Sequence, residues 1–541
     1  MRYNIQRMAN IANSNCNSLK QRPTIHRFKI DRNQFFTFFN RKERSFIHPD
    51  QMTPEKNKSR TIVWFRKDLR TLDNPCLHYA LNEGLEVIPV FIWDKDDGRQ
   101  WSPGAASRWW LHNALESLQS SFETLGGKMI FRTGKTEKII LKLVSETCAK
   151  SVCFNRVYDP AGLATQNLVE NILKKQGVSA QSFKSSLLNE PWEIKNGTGR
   201  PFKVFTPYWK SSRNAIHQEP ASYQPHKLSF PNEPIQSQRL EELDILPNHP
   251  WTAKLSAHWK ASEAAGHELI AQTAKKITRS YSSNRNIPSV EGTSRLSPYL
   301  AWGLVSPRQI CQAVLKNQGK DNAKGVEDYL SEIGWREFSC HLLYHFPSIS
   351  DRPLRPKYAN FPWRKDRAAL QKWTDGRTGY PLVDAGMRQL YETGWMHNRV
   401  RMVVASFLVK HLLISWTEGA RWFWDTLVDA DLASNTQGWQ WAAGCGADAA
   451  PYFRIFNPIL QGEKFDSAGD YAKHWIPSLA KVPPKWIFRP WEMSDDLLAE
   501  CDLRLGENYP RPCIDHVRAR NRALSALASF NDKSNRLSPE K

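Results

Sequence analysis

Between residues 60 and 187, short apolar runs rich in β-branched and aromatic residues alternate with helix-length segments, and no other feature limits the fold as strongly. The runs are TIVWF (61–65), EVIPVFIW (86–93), KMIF (128–131) and SVCF (151–154), and helical candidates fall at 105–124, 136–148 and 163–176. Such short, nearly continuous apolar runs belong to strands covered on both faces. The alternation therefore predicts a parallel sheet with helices on each side. From about 259 to 530 the period changes. Apolar residues recur at three- and four-residue spacing over 306–317, 326–344, 379–392, 395–413 and 418–428, punctuated by Gly and Pro, which predicts helices.

The expected fold is an α/β parallel-sheet, Rossmann-like N-terminal domain (59–187) followed by an all-α C-terminal domain (259–530). Between them lies a connector, 188–258, with six prolines between 220 and 250 and a short helix near KVFTPYWK (203–210). Residues 531–541 read as a tail. No G-x-G-x-x-G follows the first strand, so a dinucleotide would have to bind outside the α/β domain. Residues 1–58 read as a basic, disordered extension: positions 1–51 hold ten Lys/Arg against three acids. An organelle transit peptide, a DNA-binding arm and a misassigned start with Met52 as initiator all fit that composition; disorder or misassignment is favoured.

A net charge of +21 points to a polyanion, most simply nucleic acid, and 22 tryptophans add faces on which bases can stack. Mean hydropathy is −0.57. The longest apolar stretch, 402–416, is interrupted by Lys410 and His411 and reads as a buried helix rather than a membrane span. Nine scattered cysteines without C-x-x-C suggest reduced thiols and a cytosol-like compartment, and no metal site is expected.

Residues 429–458, DADLASNTQGWQWAAGCGADAAPYFRIFNP, place two carboxylates (Asp429, Asp431), an amide (Asn435) and two indoles (Trp439, Trp441) within thirteen positions. Acids are seldom buried unpaired, and an indole N–H needs a partner. The mixture suits a planar aromatic cofactor with polar edges. Together with TIVWFRKDLRTLDNP (61–75), EGTSRLSPYLAWG (291–303), EIGWREF (332–338), GRTGYPLVDAGMRQL (376–390), GWMHNRVRM (394–402) and APYFRIFNP (450–458), the segment resembles the flavin-binding core of the photolyase/cryptochrome family. The likeness covers residues 60–492 and is greatest to the bacterial-type (class I) cyclobutane pyrimidine dimer photolyases.

That resemblance implies FAD, held by Tyr281, Thr293, Ser294, Arg295, Leu296, Ser297, Arg401, Asp429, Ala430, Asp431 and Asn435. The hydroxyls of Thr293, Ser294 and Ser297 can cradle a diphosphate near a helix start, although Ser and Thr also cap helices routinely. Asn435 matches the residue facing flavin N5, where an amide can donate or accept, and Arg401 can hold an anionic reduced flavin. Thr436 and Gln437 depart from the smaller residues common there. Glu332, Trp335, Asn398, Met402 and Trp441 match the dimer pocket, with indoles to stack on splayed bases and polar groups for their edges. Asn398 and Met402 stand where six-four enzymes carry histidines, which favours the cyclobutane dimer. Trp363, Trp416 and Trp439 match an electron-hopping chain. Arg285, Arg399, Arg454 and Gln461 match DNA contacts, alongside Glu332, Trp335 and Asn398. A second, antenna chromophore (folate, deazaflavin or flavin) is implied in the α/β domain, with Asp159 as a contact.

The expected function is light-dependent repair, in which photoexcited reduced FAD donates an electron to the dimer, the cyclobutane bonds split and the electron returns. The expected partner is UV-damaged DNA, met by a monomer in the cytoplasm and on the nucleoid, with no membrane; organelle targeting by 1–51 is the second option. The rival is a cryptochrome-type photoreceptor without repair. The intact pocket set and the absence of a long tail weigh toward repair.

Overall fold

The computed structural model describes residues 58–537 apart from 96–99, 248, 450 and 453. The basic stretch 1–57, including Met52, and residues 538–541 lie outside the described residues. Five strands, β1 (Arg60–Phe65), β2 (Glu86–Trp93), β3 (Ile130–Thr133), β4 (Ser151–Asn155) and β5 (Ser179–Phe183), form one parallel sheet in the order β3-β2-β1-β4-β5. The pleat of β1 sends Ile62 and Trp64 into one core and Val63 and Phe65 into another, so both faces are covered. Four helices accompany the sheet: α1 (Pro75–Asn82), α2 (Ala105–Thr124), α3 (Thr136–Thr147) and α4 (Pro160–Lys175).

Two elements escape the apolar pattern. β5, SAQSF, is a half-buried edge strand with little apolar signal. α1 has eight residues, too few to show a period, though Asn74-Pro75 is its start: the Asn74 side chain accepts from the Cys76 amide.

The loop after β1, RKDLRTLDN, joins the two domains. Buried Arg70 donates to the Gly303 carbonyl (3.0 Å) and to Ser185 Oγ (2.7 Å). Buried Asp73 accepts from Arg308 Nη2 (3.0 and 3.1 Å) and from Ser306 Oγ. Gly303 has φ +66°, and a Cβ there would lie 2.1 Å from the Lys67 carbonyl oxygen, so the joint requires glycine. The charges of this motif therefore complete a buried network, which half-satisfied would be costly.

The connector is docked rather than loose. α5 (Phe205–Ser212) forms where predicted. Trp251 Nε1 donates to the Tyr391 carbonyl and Trp259 Nε1 to that of Thr393 (2.7 Å). The Leu188 and Asn189 amides donate to Glu337 Oε2 at 2.9 and 3.0 Å. Burial pushes the Glu337 carboxyl up to about 7, against the neighbouring Arg336 and these two amides, which favour its charge. The folded chain thus holds a proton that the unfolded chain has lost above its ordinary 4.5. Stability is expected to fall by about 3 kcal/mol as pH rises through that window and to level off above it. Glu337→Gln should flatten that slope in denaturant melts run across the window; an unchanged slope would place the titration elsewhere.

The helical domain runs α6 (Glu263–Gln272), α7 (Thr278–Asn284), α8 (Ser297–Ala301), α9 (Pro307–Lys316), α10 (Ala323–His345), α11 (Arg367–Thr374), α12 (Pro381–Thr393), α13 (Asn398–Ser406), α14 (Trp416–Thr426), α15 (Leu432–Ala443), α16 (Pro458–Phe465), α17 (Asp470–Trp475), α18 (Asp495–Glu500) and α19 (His516–Leu537). The predicted 395–413 helix becomes α13 followed by a π-turn at Phe407–His411. α19 continues through position 530 to Leu537. Among the described residues no helix is long and apolar enough to cross a membrane.

Candidate functional site

α15 sets the site. Asp431 caps it, accepting from the Ser434 amide at 2.8 Å. One side of the helix, Leu432, Ala433, Thr436, Trp439, Gln440 and Ala443, is buried. The other side carries Asn435, Gly438 and Trp441 at three-residue steps, each exposed or half-exposed. A Cβ on Gly438 would meet nothing within 4 Å, so protein packing does not demand a glycine there. Asn435 Nδ2 donates to the Ala420 carbonyl at 3.0 Å, which fixes its amide against α14. A flat polar-edged ring fits such a surface.

The next residues toward the N-terminus of α15 form a charged anchor. Asp429 accepts from Arg401 Nη2 (2.8 Å) and Nη1 (3.2 Å), and from Ser297 Oγ (2.6 Å). Ser297, Asp429 and Arg401 are thus one network, although they come from three distant segments. Thr293, Ser294 and Arg295 line a 440 Å³ cavity with Lys260, Gln272 and Tyr299. Arg295 sits at φ +53° with its guanidinium 5.2 Å from the Trp395 ring, and Arg401 lies 5.9 Å from the same ring. Leu296 and Tyr281 are buried, and half-buried Ala430 lines a separate cleft described below. Hydroxyls, a cation and a roomy cavity fit a dinucleotide's diphosphate.

α10 and α13 both pack against α15. α10 carries Glu332 and Trp335 one turn apart; α13 carries Asn398, exposed, and Met402, half-buried, also one turn apart. Glu332 pairs with Arg285. The next residue, Asn286, accepts from Arg399 Nη2 at 2.7 Å. Residues 285 and 286 therefore bind α10 and α13 together, and Asn286 has no signal in the sequence. Trp335 is not a free platform: the Phe205 ring stacks on it at 3.7 Å and 9°, so the connector occupies one of its faces. Trp441 is half-buried, with Phe456 at 6.4 Å.

The arginines form one field. Arg399 is held below its ordinary pKa by burial first, then by Arg285 and Arg454. Its guanidinium also lies 4.4 Å from the Phe465 ring. Gln461, half-buried, sits on α16. His397 caps α13, its Nδ1 accepting from the Arg399 amide at 3.2 Å. Burial and then the nearby arginines, Arg401 first, push His397 down to about 4, so it is a neutral structural residue.

Lys410 and His411, the polar interruptions of 402–416, are both buried. Lys410 Nζ donates to the Arg454 carbonyl at 2.8 Å, and burial pushes it down to about 8. Lys410→Met removes a costly cation but orphans that carbonyl, so stability should change by no more than about 1 kcal/mol. Amides 454–457 should exchange faster in that variant; unchanged exchange would show that Lys410 does not hold the segment.

Trp439 and Trp416 are buried and Trp363 is half-buried at the edge of the same core. Trp439's ring neighbours are Phe423 (5.0 Å) and Trp373 (6.1 Å) rather than Trp416 or Trp363. Asp159 caps α4 through the Gly162 amide and lies 3.5 Å from Lys67. It lines a 150 Å³ cleft with Trp101, Trp302 and Trp424, smaller than the 300 Å³ or more typical of a ligand pocket. Among the described residues, no group of His, Cys, Asp or Glu is arranged to hold a metal ion.

Comparison with known proteins agrees with this geometry. Residues 61–226 match the family described as DNA photolyase, and 329–529 the FAD binding domain of DNA photolyase. A deoxyribodipyrimidine photo-lyase of Agrobacterium fabrum is 44% identical over 86% of this chain and 97% of its own length. Cryptochrome-2 of Arabidopsis thaliana is 38% identical over 87% of this chain and 79% of its own. The crystal structure of a bacterial class III photolyase from Agrobacterium tumefaciens superposes with TM-score 0.85 at 42% identity, covering 89% of this chain and all of that one. That relative is described as class III, where the motifs resemble class I. The chain thus belongs to the photolyase/cryptochrome family, with an FAD-binding helical domain behind a parallel α/β domain.

Proposed function

We propose that the light-dependent repair of cyclobutane pyrimidine dimers is performed at the junction of α10, α13 and α15. The family match carries this reading, with Glu332 and Trp335 on α10 and Asn398 and Met402 on α13, two helices that pack against α15 and its Trp441. When bound there, reduced FAD would supply the light-driven one-electron chemistry. The chain's own residues do the rest. Ser297, Asp429 and Arg401 anchor and orient the cofactor, and Asn435 presents its amide along the ring. Trp441 and the uncovered face of Trp335 receive the splayed bases, while Glu332 and Asn398 meet their polar edges. Arg285 pairs with Glu332 and aims it, and Arg399 and Arg454 track phosphates. The protein works as a monomer in the cytoplasm, held on the nucleoid by DNA.

An antenna chromophore would sit with one edge in the Asp159 cleft, the remainder outside it, because the cleft cannot enclose a whole ring system. Anaerobic illumination of the reduced flavoprotein with a thymine-dimer oligonucleotide should restore thymine absorbance. A photoreceptor sharing the same cofactor cradle would show no such recovery. Trp441→Ala should weaken binding of dimer-containing DNA by about 1–3 kcal/mol, and unchanged affinity in a filter-binding titration would remove it from the pocket.

A further inference from the structure

We infer that Phe205, on the connector, is a positioning residue for repair: its ring holds Trp335 at the angle from which the indole takes a base of the dimer. The inference rests on the reading above that Trp335 is a platform of the lesion pocket, and adds to it a residue buried behind that platform. Phe205 opens α5 and is buried, whereas Trp335 is half-buried. The Phe205 ring lies 3.7 Å from that of Trp335 and 9° from parallel. It is also 11° from parallel to Trp209, one turn further along α5, at 6.4 Å. The Phe338 ring stands T-shaped to both Phe205 and Trp335, each at 5.9 Å. Aromatic rings therefore fix one face of the indole, which leaves a base only the opposite face.

α10 is fastened to the connector on both sides of Trp335. A Cβ on Gly334 would lie 2.5 Å from the Trp209 ring, so α5 approaches α10 as closely as a glycine allows. Arg336 Nη1 donates to the Ser186 carbonyl at 2.7 Å, and Glu337 holds the Leu188 and Asn189 amides. The Phe205 amide in turn donates to Asp448 Oδ2 at 3.2 Å, in the loop that leaves α15 beyond Trp441. Phe205 thus ties the helix that carries one indole to the loop that follows the other. The outer torsion of an indole is broad, and an unsupported Trp335 would lose that freedom only when a base arrived. A parallel ring at van der Waals distance removes the freedom beforehand and adds the attraction of an aromatic pair. The platform is preorganised by closing its inner face.

The test is Phe205→Met in the full-length flavoprotein. Methionine fills the volume and offers no plane, so the fold and the bound flavin are kept. Affinity for a thymine-dimer oligonucleotide should fall about fivefold, through lost preorganisation and one lost aromatic pair. Repair at saturating oligonucleotide under constant light should be unchanged, so the effect enters KM and spares kcat. Phe205→Tyr, which keeps the ring, should bind as wild type does. In a Trp335→Ala background, Phe205→Met should weaken binding no further, because its effect passes through the indole. Unchanged affinity in Phe205→Met, an equal loss in the Trp335→Ala background, or a tyrosine variant as weak as the methionine one would overturn the positioning role while leaving the lesion pocket standing. Wild-type affinity in Trp335→Ala alone would overturn the platform and this role with it.

Discussion

Arg401→Leu is expected to destabilise the folded chain by about 3–5 kcal/mol and to abolish flavin retention. The Asp429 side chain is only 3% exposed and has two kinds of partner, the Arg401 guanidinium and the Ser297 hydroxyl. Removing the cation leaves a buried carboxylate with a single neutral donor. The cost is the uncompensated charge rather than the net worth of the pair. Pairing the change with Asp429→Leu removes the orphan and should recover most of the stability, but not the visible absorbance of bound flavin. Thermal melts of the two variants, with spectra after desalting, separate these effects. Wild-type flavin content in the single variant would show that the anchor is not a cofactor site.

Trp439→Phe is expected to have the largest effect of any single indole change on light-driven reduction of oxidised flavin. Trp439 is buried on α15 one turn beyond Asn435, and it fills a slot opened by Gly419, where a Cβ would lie 2.0 Å from the indole. Phenylalanine leaves part of that slot empty at a cost of about 1–2 kcal/mol, which the fold tolerates. It also removes an oxidisable indole from the interior end of the path. Trp363→Phe, at the half-buried end, should slow photoreduction as well, while chemically reduced protein of either variant repairs dimers. Flash photolysis that finds equal reduction rates in wild type and both variants would dismiss the path.

Part of the helical domain was legible because its apolar spacing survives burial: α9, α10, α12 and α14 form within a few residues of the predicted segments. β5 was not legible, since an edge strand needs little apolar surface. The connector's prolines suggested a spacer, yet its indoles and backbone amides dock on α10 and α12 through Glu337, Tyr391 and Thr393. Proline content reports local stiffness and says nothing of where a segment packs. The motif RKDLRTLDN was visible as a cluster of charge, but its role as an interdomain network was not, because Gly303, Ser306 and Arg308 lie more than two hundred positions away.

Residue chemistry by itself determined the family resemblance, the two-domain order and the identities of the polar and indole groups around the cofactor. These depend on local period and on which side chains occur together. Only the tertiary structure decided which of them touch: Arg401 with Asp429, Arg285 with Glu332, Asn286 with Arg399, and Phe205 over Trp335. Such pairs join segments whose separation carries no period, and their geometry is settled by how helices pack against one another.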